Sequence, residues 1–139
     1  MSLTDYSDLE KEIKSAQEPK TLPRAAEVKA RIISVRSGIS DKNGARWYQP
    51  VFDVPNDPMA QEFNDFIWDL ADRDKIEVKQ AARNMSRFKN FAAAFGIDYS
   101  RPFSWEDDLI GKEGWVIVGV RKTDEYGEQN TVSKYVIRK

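Results

Sequence analysis

The sequence predicts a mainly β fold, an OB-fold: a five-stranded, partly open barrel with one long helix between strands 3 and 4, plus a short N-terminal helical arm. Three observations carry this. Segments of strand character and one helix follow in the order strand, strand, strand, helix, strand, strand. The helix, Lys75 to Phe95, has apolar residues at spacings of three and four, one wall's worth of core. Too few helices intervene to cross over between parallel strands.

Composition narrows the function classes. A chain of 139 residues is read as one domain, 23–139, preceded by an arm, 1–22. A hydrophobic fraction of 40% supports a packed core rather than disorder. Cysteine is absent, which excludes disulfides and cysteine-ligated zinc. Histidine is absent too, removing the usual general base and the commonest metal ligand. No enzymatic activity, metal or cofactor is therefore expected. No apolar run approaches the roughly 20 residues of a membrane span, and Met1 to Asp8 lacks a signal-peptide layout, so a soluble intracellular protein is expected. The net charge of −1 provides no global field for nucleic acid, so any such binding rests on local segregation of charge.

In the arm, Ser7 and Glu10 have capping-box spacing, and Tyr6, Leu9 and Ile13 fall on one helical face. A short helix near residues 7–16 follows, ended by Glu18-Pro19 and Leu22-Pro23. It is read as docked on its own domain, with a partner-docking arm as the other reading.

Residues 25–37 form a long strand. Val28, Ala30 and Ile32 share one face, and Glu27, Lys29 and Arg31 the other. Ile33 and Val35 then fall out of phase, which predicts a bulge, and Gly38 a bend. Asp41-Lys42-Asn43-Gly44 predicts a hairpin with two positive-φ residues. In the return strand, Arg46 to Val54, Tyr48, Phe52 and Val54 oppose Trp47, Gln49, Val51 and Asp53, so one face must expose a ring. Pro50 lacks a donor and predicts a bulge or an edge. Phe63 to Leu70 is read as a short third strand. Asp72, Asp74 and Glu77 suit the positive end of the helix dipole.

The long helix carries two stripes. Val78, Ala82, Met85, Phe88, Ala92 and Phe95 are read as buried; Lys75, Lys79, Arg83 and Arg87 recur every four residues as a second, basic stripe. Gly96 caps the helix. Phe103 and Trp105 are expected to plug one end of the core. Trp115 to Val120 is the strongest strand, with Trp115 and Phe52 read as core. Glu125-Tyr126-Gly127-Glu128 is a hairpin tip, and Thr131 to Arg138 the closing strand.

Three segments resemble a family of small phage-encoded single-stranded DNA-binding proteins of replication and recombination modules. The first is Leu22-Pro23 with the charged strand Glu27 to Val35 and the turn Lys42-Asn43-Gly44. The second is the helix end Arg87-Phe88-Lys89-Asn90-Phe91-Ala92-Ala93-Ala94-Phe95-Gly96-Ile97-Asp98. The third is Asp107-Asp108-Leu109-Ile110-Gly111-Lys112, with the strand to Val120 and Tyr126-Gly127-Glu128-Gln129-Asn130. The likeness spans residues 22–137 and rests on the order and spacing of the three. It implies a bacteriophage protein acting in the host cytoplasm on single-stranded DNA, with replication or recombination proteins as possible partners. Arg24-Ala25-Ala26 stands where the family often has glycine after Leu-Pro. The chain ends in basic residues, Lys134 to Lys139, where many single-strand binders carry an acidic tail; the acidic arm Asp5, Asp8, Glu10 and Glu12 is the candidate substitute.

Binding a single strand without sequence preference needs cations along a groove, interleaved with rings on which bases stack. The candidates are Lys29, Arg31 and Arg36 on the first strand, and Lys42, Arg46, Trp47 and Tyr48 around the first hairpin. Arg121, Lys122 and Tyr126 follow at the second hairpin, with Lys134, Tyr135 and Arg138 on the last strand. The stripe Lys75, Lys79, Arg83 and Arg87 is a secondary phosphate track or a contact for a second subunit of a homo-oligomer. Two other functions fit: a replication or recombination adaptor working through the arm and the basic helix, and a small Mg-dependent nuclease using Asp69, Asp72, Asp74, Glu106, Asp107 and Asp108.

Overall fold

In a computed structural model, which describes residues 2–137, the longest strand, β1 (Glu27–Ile39), serves two neighbours. Its second half pairs antiparallel with β2 (Arg46–Asp53), and its first half with β5 (Glu113–Thr123). The expected bulge is there: the register shifts between Ile32 and Ser34, leaving Ile33 as the extra residue. The strand bends at that point and can pass from one neighbour to the other.

The third strand is split into β3 (Phe63–Asn64) and β4 (Ile67–Trp68). Val51 pairs with Asn64 and Trp47 with Trp68, a register that sets Pro50 opposite Asp65. Pro50 accepts from Asp65 N at 3.1 Å but has no N–H to return, so the ladder is interrupted there. β6 (Gly127–Val136) pairs antiparallel with β5 and closes the ring by a parallel bridge, Asn64 to Thr131. The barrel is thus five-stranded, with the OB order β1, β2, β3, β6, β5.

Ala30, Ile32, Phe52, Ile67, Val116 and Val118 point inward and are fully buried. The helix α2 (Val78–Phe95) covers one end with Phe88, Phe91, Ala92 and Phe95. Phe91 and Phe95 both meet the Phe52 ring. Phe103 and Trp105 plug the same end, as expected. Trp105 lies parallel to Phe91 and Tyr48, at 5.8 and 4.5 Å between centroids.

Several expectations are corrected. The helix does not start at Lys75: a 3-10 segment, Leu70–Lys75, comes first, and Ile76 is extended (φ −121°, ψ 166°) before α2. Asp72 therefore does not stabilise the long helix. Its carboxylate accepts Arg46 N at 2.8 Å, which also lowers its pKa, and Asp69 caps the 3-10 segment. Only the second half of the expected apolar stripe is buried. Val78, Ala82 and Met85 are exposed, and the buried position in that half of α2 is taken by Asn84 instead. The Asn43-Gly44 turn is wider than a two-residue hairpin. Ser40 N donates to Ala45 O and Gly44 N to Ser40 O, and Gly44 alone takes positive φ, +72°. Trp115 lies half-buried on the outer side of β5, between the inward Gly114 and Val116.

The arm forms a 3-10 turn, Ser7–Leu9, and a short helix, α1 (Glu10–Lys14). Asp5 takes the expected capping role of Ser7, accepting Ser7 N at 2.9 Å. The arm does not dock on its domain: residues 2–20 are all exposed. The chain is fixed only from the Lys20 to Ala60 bridge onward. Asn130 then holds Leu22, accepting its N–H at 2.7 Å and donating to its carbonyl at 3.0 Å. Among the described residues, no helix is long and apolar enough to cross a membrane.

Candidate nucleic-acid interface

Directly opposed residues of an antiparallel pair share a face. The pairings Gly38–Trp47, Arg36–Gln49, Trp47–Trp68 and Val51–Asn64 therefore put these residues together on the outer side of the sheet. The same register sets Phe66 opposite Gln49. The result is a cluster of three rings on the second and third strands. Trp47 stacks on Phe66 at 5.5 Å and 30°, and Phe66 meets Trp68 edge-on at 4.9 Å and 86°. Phe66 is 40% exposed, and Trp47 and Trp68 are half-buried.

Each ring is held from behind. Gly38 leaves space for the Trp47 indole: a Cβ there would lie 2.5 Å from Cζ2 of the ring. Asn84 on α2 takes both backbone groups of Trp68, accepting its N–H and donating to its carbonyl, each at 2.8 Å. The Asp65 carboxylate, nearly buried, accepts from Phe66 N at 2.8 Å, from Arg87 Nε at 2.7 Å and from the Tyr135 hydroxyl. Arg87 also donates to Val132 O at 2.9 Å, so one guanidinium joins α2, the link between β3 and β4, and β6, beside the single bridge that closes the barrel. Burial, followed by the Asp65 carboxylate, pushes the Tyr135 phenol well above its ordinary pKa.

The cations sort by what lies across from them. Arg31 is forked onto Asp53, with Nε to Oδ1 at 3.1 Å and Nη2 to Oδ2 at 2.6 Å, which raises its pKa. Lys29 lies 3.6 Å from Glu113. Both lie on β1 beyond the bulge from the rings, and each has an acid beside it. Lys122 faces Glu128 across the second hairpin, and Asp124 and Glu125 share that tip with Tyr126, which is 71% exposed. By contrast Arg36 stands opposite Gln49, and Arg121 opposite Gln129, neither with an acid across the ladder. A shallow polar depression of about 180 Å³ between β3 and β6 brings Phe66, Arg87, Arg121 and Gln129 onto one surface. Lys42 and Arg46 are exposed at the first hairpin, and Lys134 on β6, opposite Ile117.

Two of the expected stacking residues are placed elsewhere. Tyr135 is 5% exposed and packs edge-on against Phe91, because a bulge between Ile117 and Val118 shifts the last strand's phase and turns it inward. Tyr48 is next to Trp47 in sequence but on the other side of the sheet, stacked on Trp105; burial raises its pKa. The basic stripe is also dispersed. Lys75 lies 3.6 Å from Asp72, outside α2, and Arg87 turns into the barrel seam. Lys79 and Arg83 remain on the exposed side of the helix. Arg138 lies outside the described residues.

Sequence reasoning missed Phe66 and Trp68 as surface rings, along with their holder Asn84. The alternation of Phe66 and Trp68 around the buried Ile67 was the available signal, as was one polar residue, Asn84, within the buried face of α2. Four of the six acids considered for a metal are engaged locally. Asp69 and Asp72 accept backbone amides, and Asp107 and Asp108 bond Ser104. Among the described residues, no three acidic side chains converge as a metal site would require.

The arrangement offers ring faces to bases, guanidinium groups to phosphates, and amide side chains to base edges. Compared with protein-family models and with curated proteins, the chain matches none.

Proposed function

We propose that this protein binds single-stranded DNA without strong sequence preference, protecting it during phage DNA replication or recombination. The observation that carries the reading is the cluster of Trp47, Phe66 and Trp68 on the outer side of β2 to β4, between the two hairpin loops. An OB barrel offers single strands that surface. A ring exposed there costs hydration that the fold itself does not recover, whereas a stacked base would cover it. Arg36 and Arg121 flank the rings as cations with no acid opposite, suited to phosphates on either side of the stacked bases. The resemblance of residues 22–137 to phage single-strand binders points the same way.

Fluorescence titration with oligo-dT tests the reading, since two tryptophans lie in the cluster. Binding is expected to quench them, to vary little with base composition and to weaken with salt. Tight binding to duplex but not to single strands would overturn it. Mg-dependent cleavage of DNA would replace it with the nuclease reading.

A further inference from the structure

The arm and the first half of α2 each present apolar side chains that no described residue covers. On the arm, Tyr6, Leu9 and Ile13 are 62%, 44% and 56% exposed. A helix as short as α1 is not stable by itself in water and needs a surface to lie on. On α2, Val78 and Met85 are 85% and 44% exposed. Met85 sits in a groove of about 460 Å³ with Leu70, Ala82, Phe88 and Tyr99. Val78 and Met85 lie two turns apart on α2, about 10 Å along its axis.

Among the described residues, the unpaired charges of the arm are mainly acidic, with Lys11 the exception, and those of α2 are basic. Asp8 and Glu12 on the arm make no ion pair among the described residues. Neither do Lys79, Arg83 and Lys89 on α2, and Lys89 lines the groove itself. We infer that the arm of one copy of this protein docks by Tyr6, Leu9 and Ile13 into the α2 groove of a second copy, its acids set against the basic residues of that helix. Opposite charges at the edge steer and orient the encounter, and the apolar contact supplies most of its free energy. Self-association is therefore weakened by salt but not abolished. The groove is distinct from the ring cluster on β2 to β4, so the inference stands apart from DNA binding.

Sedimentation equilibrium of the full chain over a concentration series tests this. Self-association is expected, and is expected to be lost both in Leu9→Asp/Ile13→Asp and, separately, in Met85→Asp. All three positions are exposed, so thermal melting of the barrel should be unchanged. The absence of cysteine permits a second arm of the experiment. Ile13→Cys mixed with Met85→Cys should give an oxidised heterodimer, and Ile13→Cys mixed with Glu62→Cys should not. A monomer at every concentration overturns the inference, as does association that survives both aspartate variants. So does a double variant, Ile13→Cys/Met85→Cys, that cross-links only within one chain, since the arm would then lie in its own groove.

Discussion

The indole of Trp47 packs against Gly38, its partner across the β1–β2 ladder, so closely that any Cβ at position 38 would sit 2.5 Å from the ring. The contact is with Cζ2, Cε2 and Nε1 of a rigid ring, which cannot yield as a flexible chain end would. Gly38→Ala is therefore expected to push the indole outward and to destabilise the barrel by about 1–3 kcal/mol, the usual cost of overpacking. Chemical denaturation measures the loss, and a shifted tryptophan emission maximum reports the moved ring.

Trp47 and Phe66 stack on each other, so their contributions to binding should not be independent. Trp47→Ala and Phe66→Ala are each expected to weaken oligo-dT binding by roughly 1–3 kcal/mol. The double variant should lose less than the two losses added, because each ring helps to hold the other in place. A double-mutant cycle by titration gives the coupling. Additive losses would mean that the rings act separately.

Strand order, bulge and helix position were legible because they depend on local signals. Ile33 and Val35 broke the alternation of β1, and the bulge is found between Ile32 and Ser34. The site was less legible, because membership of a face is set by register, which one strand does not reveal. Trp47 and Tyr48 looked alike in sequence, and only their partners, Trp68 and Trp105, separate them. Tyr135 was misplaced because the β5–β6 bulge shifts the strand's phase by one residue. The ion pairs Arg31–Asp53 and Arg87–Asp65 each join residues 22 apart, a distance at which charge spacing within one segment carries no information. Val78 and Met85 had core spacing, but the period of a helix does not say where its neighbour ends.

Cations with no acid opposite should be distinguishable from paired ones by salt. Arg36→Ala and Arg121→Ala are each expected to reduce the slope of log affinity against log salt by about 0.7, the counterion release of one phosphate on a single strand. Arg31→Ala should leave the slope unchanged, since its guanidinium is already forked onto Asp53. Titrations at several salt concentrations measure all three. A reduced slope in Arg31→Ala would bring that end of β1 into the site.

The Asp65 carboxylate holds the seam by accepting from Arg87 and Tyr135, so breaking either bond should loosen the barrel near the rings. Arg87→Met leaves the carboxylate without its cation. The cost is expected to be about 2–3 kcal/mol, below that of a fully buried pair because the Arg87 side chain is 33% exposed. Tyr135→Phe removes a hydrogen bond to a charged acceptor, about 1.5–3 kcal/mol. The pH dependence separates the two. Tyr135 has its folded-state pKa raised, so its contribution is complete below the unfolded value of about 10 and is lost as pH rises through the folded value. The native protein should thus lose stability steeply in alkali. Tyr135→Phe should be less stable at neutral pH but fall more slowly above about pH 10, while Arg87→Met should retain the alkaline fall. Denaturation midpoints across that range, with tyrosinate absorbance as a second probe, decide the matter. An alkaline fall unchanged in Tyr135→Phe would assign it to another group.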